Sequence, residues 1–194
     1  MEIQTIAIVG AGDLGRGIAY AAVVAGFRTI LEDISLVTLE QGNFWIAHAL
    51  DDEVSHGKIG AVARDAALSN LSAAKSAEEA SREADLIIEA VSDEMEMKIE
   101  LFTIFDKFAK PGAVFASTTN SLSITELAAV TFCPERCIGM RFFTDTQNAG
   151  RLELVKGRET SEETVAACRD AGRRMGREVS EVRDEQVMAA SGGE

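Results

Sequence analysis

The chain has 194 residues, 46% of them hydrophobic and 26% charged, the proportions of an ordinary globular protein with one sizeable core and too short for two full domains. Its formal net charge of −13 argues against nucleic acid and against an anionic membrane surface as partners, because both repel an acidic protein. No apolar run approaches the length that crosses a bilayer, and the first residues lead straight into a strand, so no signal peptide is expected. Cys133, Cys137 and Cys168 form no CxxC pair and have no histidine close by. They read as free thiols in a reducing, cytoplasmic setting, with neither a metal site nor a disulfide framework.

The β-branched run Ile6-Ala7-Ile8-Val9 predicts a first strand, and the alanine-rich stretch 17–25 predicts a helix behind it. Between them lies the loop Gly10-Ala11-Gly12-Asp13-Leu14-Gly15. Each glycine has its own physical task. Gly10 permits a tight turn, Gly12 lets backbone approach a pyrophosphate, and Gly15 allows close packing of helix on strand. Phosphates would then sit at the helix N-terminus, where unpaired N–H groups point at them. A second strand, Thr29-Ile30-Leu31, ends in Glu32-Asp33, at the distance where such folds place an acid for the adenosine ribose. That acid accepts hydrogen bonds from ribose hydroxyls and repels a 2′-phosphate, which predicts NAD in preference to NADP. The glycine pattern alone is common. Strand, loop, helix, strand and acid in this order are specific.

Further along, residues 35–56 predict a long helix with an apolar stripe of Leu36, Leu39, Phe44, Ile46 and Leu50, stopped by Gly57. A shorter helix over 60–68 precedes a small strand near 71–74. The run 85–90 predicts a buried strand, 94–108 a helix closed by Pro111-Gly112, 113–116 a strand and 124–129 a short helix. Strands are predicted over 138–143 and 152–156, then a helix over 161–175 capped by Ser161 with Glu162 and Glu163 in its first turn. A last strand over 178–182 could close the sheet. Alternating strands and helices imply an α/β, Rossmann-like doubly wound, mostly parallel sheet with helices on both faces.

Four segments carry a family resemblance: Gly10-Ala11-Gly12 through Gly15-Arg16-Gly17-Ile18-Ala19, residues 84–91, residues 121–128, and Gly139-Met140-Arg141-Phe142-Phe143. In order and spacing they resemble the 3-hydroxyacyl-CoA dehydrogenase family, and specifically its NAD-binding domain, over nearly the whole chain. The resemblance implies one NAD-binding domain over 1–194, without the helical C-terminal domain that completes the substrate cleft in family members. It implies cofactor contacts at Gly10, Gly12, Asp13, Leu14, Gly15, Asp33, Asp93 and Lys98. Asp13 departs from the family's uncharged loop residue, with Arg16 placed to offset it. Without the resemblance, Asp93 and Lys98 would read as a solvated helix start.

The catalytic positions diverge. The family's general base is a histidine in a Gly-x-His-Phe-Phe segment, and here that position is Arg141. Arginine stays protonated near neutral pH and cannot serve as a base. Glu153 matches the glutamate that orients the histidine, and an ion pair with Arg141 is expected. Asn120 replaces a substrate-binding serine, and Ser191 stands at the position of a catalytic asparagine. Where the family presents basic residues to coenzyme A, this chain has Asp51, Asp52 and Glu53, which also read as a plain solvated helix face. His48 and His56 read as surface residues of the same helix. The chain is therefore expected to be an NAD-binding, dehydrogenase-like oxidoreductase domain with a degenerate catalytic site. The alternatives are a non-catalytic NAD(H)-binding or sensing module and another NAD-dependent hydroxyacid dehydrogenase. Expected partners are NAD(H), an acyl-CoA or small hydroxyacid, and a second copy or partner chain that supplies the helical domain.

Overall fold

The computed structural model describes residues 2–143 and 150–184. Its strands are β1 (Thr5–Val9), β2 (Arg28–Glu32), β3 (Leu71–Ala73), β4 (Leu86–Glu89), β5 (Val114–Ser117), β6 (Cys137–Phe142), β7 (Arg151–Lys156) and β8 (Glu178–Arg183). The helices are α1 (Asp13–Val24), α2 (Leu36–Ser55), α3 (Ala61–Ser69), α4 (Ala77–Ser81), α5 (Met95–Phe108), α6 (Ile124–Ala128) and α7 (Glu162–Arg174). The strands form one eight-stranded sheet in the order β3-β2-β1-β4-β5-β6-β7-β8. The first six run parallel, β7 is antiparallel to β6, and β8 is parallel to β7.

The two-residue alternation of a strand decides which helices cover which face. Ile6, Ile8, Leu86, Ile88, Val114 and Ala116 point into one core with Ile18, Ala22, Ile46, Leu50, Val165 and Cys168 from α1, α2 and α7. Ala7, Val9, Ile30, Ile87 and Phe115 point into the other, against Ala77 and Ala80 of α4, Phe102 and Phe105 of α5, and Leu127 of α6. Strands buried on both faces read as continuous apolar runs, which is why 85–90 was recognisable without alternation.

Two elements differ from the sequence-based expectation. Helix α1 starts at Asp13, four residues before the predicted start, because the second half of the glycine loop is already its first turn. Helix α4 is five residues long, too short to show helical periodicity, yet Ser76 caps it by accepting from the Glu79 N–H (3.3 Å).

The serine-rich segment before α6 has a structural task. The Ser123 hydroxyl accepts from the Glu126 N–H and donates to Asp184 Oδ2 (2.7 Å), while the Ile124 and Thr125 N–H groups donate to the two oxygens of Asp184 (3.1 and 2.9 Å). Asp184 is only 4% exposed. Burial alone would raise its carboxyl pKa, but the hydrogen bonds outweigh burial and hold it below the ordinary value. The residue that ends the described chain is thereby fastened to the start of α6. Asp184→Ala is expected to lower stability by about 1–3 kcal/mol, the cost of leaving buried donors unsatisfied. This contribution is complete above about pH 4 and is lost as pH falls through the lowered pKa, so thermal melts of wild type and variant should converge on acidification.

Candidate functional site

The strand order reverses between β1 and β4, and the loops that leave these two strands part to either side of a crevice, the place where doubly wound sheets bind ligands. The glycine loop follows β1. Gly10 has φ +105°, and a Cβ there would lie 2.7 Å from the Ala90 carbonyl oxygen, so both conformation and space require glycine. A Cβ at Gly15 would lie 1.8 Å from the Gly10 carbonyl oxygen, which is the contact that seats α1 on the end of β1. Gly12, the N-cap of α1, is different: a Cβ there would meet nothing within 4 Å, and no side chain caps the helix. Open space beside uncapped N–H groups at a helix start fits an incoming pyrophosphate. Asp13 is turned outward and held by Arg16 (2.6 Å), which offsets its charge as expected. Leu14 packs against the core behind the loop.

Asp33 follows β2. Its Oδ2 accepts from the Ala11 N–H (2.8 Å) and its Oδ1 from the Ser35 N–H (2.8 Å), which ties the glycine loop to the start of α2. A carboxylate offers about four lone-pair sites, so two remain for ribose hydroxyls. Arg28, at the opposite end of β2, is ion-paired with Glu83. Asp33 borders a cavity of about 430 Å³ with aliphatic walls from Ile34, Val91, Met97, Leu101 and Ile104. Glu32 lines the same cavity and is 5% exposed. Burial, with Asp33 and Glu78 nearby, pushes its carboxyl up to about 7.

A connected polar network runs across the carboxyl ends of the strands from β4 to β7. Lys98 is fully buried and donates to both oxygens of Glu89 (2.7 and 2.8 Å) and to the Val91 carbonyl (3.3 Å). Glu89 also accepts from the Ser117 hydroxyl (2.7 Å) and the Val91 N–H (2.7 Å). The reading of Lys98 as part of a solvated helix start is thus corrected. Its ammonium lies in the interior, where three donors already have acceptors. Asp93 lies 3.5 Å from Lys98 and accepts from the Asn120 N–H (3.3 Å) and the Ser121 hydroxyl (3.0 Å). Burial would raise the Asp93 pKa, but hydrogen bonding from the Thr119 and Ser121 side chains, the Lys98 charge and the Asn120 N–H bring it below the ordinary value.

Arg141 on β6 faces Glu153 on β7 in direct cross-strand register, and its Nη1 donates to Glu153 Oε2 at 3.0 Å. Its Nε reaches Asn120 Oδ1 at 3.4 Å. The expected Arg141–Glu153 ion pair is therefore present, and the structure gathers Asp93, Lys98, Asn120, Arg141 and Glu153 into one place. Ser191 lies outside the described residues. Glu89, Ser117 and Glu32 escaped sequence reasoning; for Glu89 the available signal was an acid inside an otherwise apolar strand.

His48 and His56 sit on the exposed side of α2 and its end, near Asp52. Asp51 pairs with Arg64 (2.9 Å) and Glu53 with Lys58 (2.8 Å), as on a solvated helix face. The cysteines are free and buried, and burial pushes Cys133 up to about 11 and Cys137 and Cys168 up to about 12. Among the described residues no cluster suits a metal ion, and no helix is long and apolar enough to cross a membrane.

Two outcomes follow from this geometry. Gly12→Val should remove dinucleotide binding, measured by NADH titration, and leave the melting temperature of the free protein nearly unchanged. Its φ of −64° and ψ of −170° admit a side chain, and nothing nearby clashes. Lys98→Met should destabilise the fold by about 3–5 kcal/mol in a denaturant titration, because it leaves Glu89 charged and buried without its counterion.

Residues 5–185 match the model of the 3-hydroxyacyl-CoA dehydrogenase NAD-binding domain. A probable 3-hydroxybutyryl-CoA dehydrogenase of Bacillus subtilis is 36% identical over 95% of this chain and 64% of its own length. The 3-hydroxybutyryl-CoA dehydrogenase of Bradyrhizobium diazoefficiens is 35% identical over 92% of this chain and 60% of its own. The crystal structure of (S)-3-hydroxybutyryl-CoA dehydrogenase from Ralstonia eutropha superposes with a TM-score of 0.88 at 32% identity, covering 94% of this chain and 64% of that one. The chain thus spans less than two thirds of the length of these relatives. With its glycine loop, the acid that follows β2, its sheet order and these matches, the chain belongs to the 3-hydroxyacyl-CoA dehydrogenase family, as the NAD-binding domain.

Proposed function

We propose that this domain holds NAD(H) for a 3-hydroxyacyl-CoA dehydrogenase-like oxidoreductase, and that its catalytic site is degenerate, so that the chain does not by itself sustain 3-hydroxyacyl-CoA turnover. The observation that carries this reading is the Arg141–Glu153 pair at 3.0 Å. By resemblance, these positions belong to a histidine base and the glutamate that orients it. A guanidinium held by a carboxylate takes no proton from a substrate hydroxyl. General base catalysis is typically worth about 10²–10⁴-fold, and that contribution is lost. Asn120, engaged by Arg141, stands where a substrate-binding serine would be. The acids of α2 oppose the phosphates of a coenzyme A thioester.

The bound cofactor supplies the hydride acceptor or donor. This chain's residues place it: the glycine loop takes the phosphates, Asp33 takes the ribose, and the Glu89–Lys98 pair fixes the loops beside the crevice. The charge of Asp33 at the adenosine end repels a 2′-phosphate, which favours NAD over NADP.

The decisive experiment pairs an NADH titration with acetoacetyl-CoA-dependent NADH oxidation on the purified chain. NADH should bind more tightly than NADPH, and Asp33→Ala should weaken NADH binding by about 1–3 kcal/mol, the range for hydrogen bonds to a charged group. NADH oxidation should be marginal, and Arg141→His should restore little of it. A wild-type rate comparable with a full-length dehydrogenase overturns the degenerate-site reading. A large gain from Arg141→His alone would show that the substrate pocket is already complete, through self-association or a partner chain.

A further inference from the structure

Glu32 is the unexplained acid of the cofactor crevice. It is 5% exposed, it lines the 430 Å³ cavity beside Asp33, and its carboxyl has no hydrogen-bond partner among the described residues. Its surroundings are not those of a structural ion pair. The other charged groups on that cavity are Asp33 at the end of its own strand, Lys75 and Glu78 at the start of α4, and Glu100 on α5; β1 contributes only Val9 and Gly10. Like charges outnumber the single lysine, and the remaining walls are aliphatic. Aliphatic walls of this kind suit the faces of a flat ring, and Glu32 is a buried polar group among them.

Resting on the NAD reading above, we propose that Glu32 in its neutral, protonated form recognises the adenine edge of the cofactor. A protonated carboxyl offers one O–H donor beside one carbonyl acceptor. Adenine presents an amino donor next to a ring-nitrogen acceptor, the pair that an amide side chain reads by two hydrogen bonds. A neutral Glu32 has the same complement as that amide. An ionised Glu32 has only acceptors, and one of them would face the ring nitrogen. Burial, then the charges of Asp33 and Glu78, push the acid up to about 7, so a large neutral fraction persists near neutral pH. Deprotonation therefore removes one hydrogen bond and adds a charge beside Asp33, and cofactor affinity should fall as pH rises through about 7.

The test is NADH affinity by fluorescence titration from pH 6 to pH 8.5, with thermal melts of the cofactor-free proteins alongside. The wild type should bind about tenfold more weakly at the upper pH, within the range for one bidentate base contact. Glu32→Gln, a permanent mimic of the neutral acid, should bind with a flat profile and more tightly than wild type at pH 8.5. Glu32→Met, which fills the space without polar atoms, should be flat and weak throughout. In the melts, the wild type should lose stability relative to Glu32→Gln as pH rises toward 7, because a group whose pKa is raised by folding contributes stability only while it stays protonated. A wild-type profile as flat as that of Glu32→Gln overturns the proposal and leaves NAD binding intact. Equal affinity of Glu32→Met and Glu32→Gln overturns base recognition in favour of plain charge repulsion. Absence of NADH binding at every pH overturns the proposal together with the functional reading on which it rests.

Discussion

The arrangement of the crevice depends on one buried ion pair. Glu89 ends β4 with no solvent exposure, and Lys98 reaches it from the first turn of α5. Neither charge survives alone in that interior, since the desolvation of an unpaired ion costs several kcal/mol. Each is satisfied only when strand, helix and the intervening loop are in place together. The same carboxylate takes the Val91 N–H and the Ser117 hydroxyl, so the loop after β4 and the end of β5 are fixed by the same two side chains. Ser117 then accepts from the Thr119 N–H, and Asp93 holds Asn120 and Ser121. A charge pair that adds little net stability thereby determines where the walls of the crevice stand.

The opposite wall is built by exclusion of side chains. Gly15 and Gly10 let helix and strand meet at a distance that any Cβ would forbid, and that contact aims the start of α1 across the crevice. Asp33 completes this wall by tying the loop to α2 through two backbone N–H groups. One carboxylate thus holds both the glycine loop and the start of α2.

Much of this was legible in the sequence because each residue type there has a narrow chemical meaning. Glycine at 10, 12 and 15 and the acid at 33 form a pattern with a narrow meaning, and the structure brings the glycine loop and Asp33 together through the Ala11 N–H. The pairing of Arg141 with Glu153 was expected because the family resemblance sets these two positions together, and opposite charges attract there. What stayed hidden depended on tertiary contact. Lys98 looks solvated beside Asp93 and Glu94, and only packing of α5 on the sheet turns it inward. The raised carboxyl of Glu32 comes first from burial, then from neighbouring Asp33 and, forty-six positions along the chain, Glu78. Helix α4 is too short for any periodicity, and the antiparallel direction of β7 is set by its pairing with β6, since its apolar pattern is the same in either direction.

The cross-strand pair also constrains how such a site drifts over generations. With Arg141 and Glu153 both less than a quarter exposed, a change at either position alone strands the other's charge at the sheet's end. Replacement of Glu153 first would leave a guanidinium without its acid; replacement of Arg141 by an uncharged residue would leave a carboxylate without its base. A histidine at 141 is the tolerant intermediate, because it carries a charge when needed and sheds it otherwise. The two positions are thus coupled, and their joint replacement should cost less than the sum of the two single replacements.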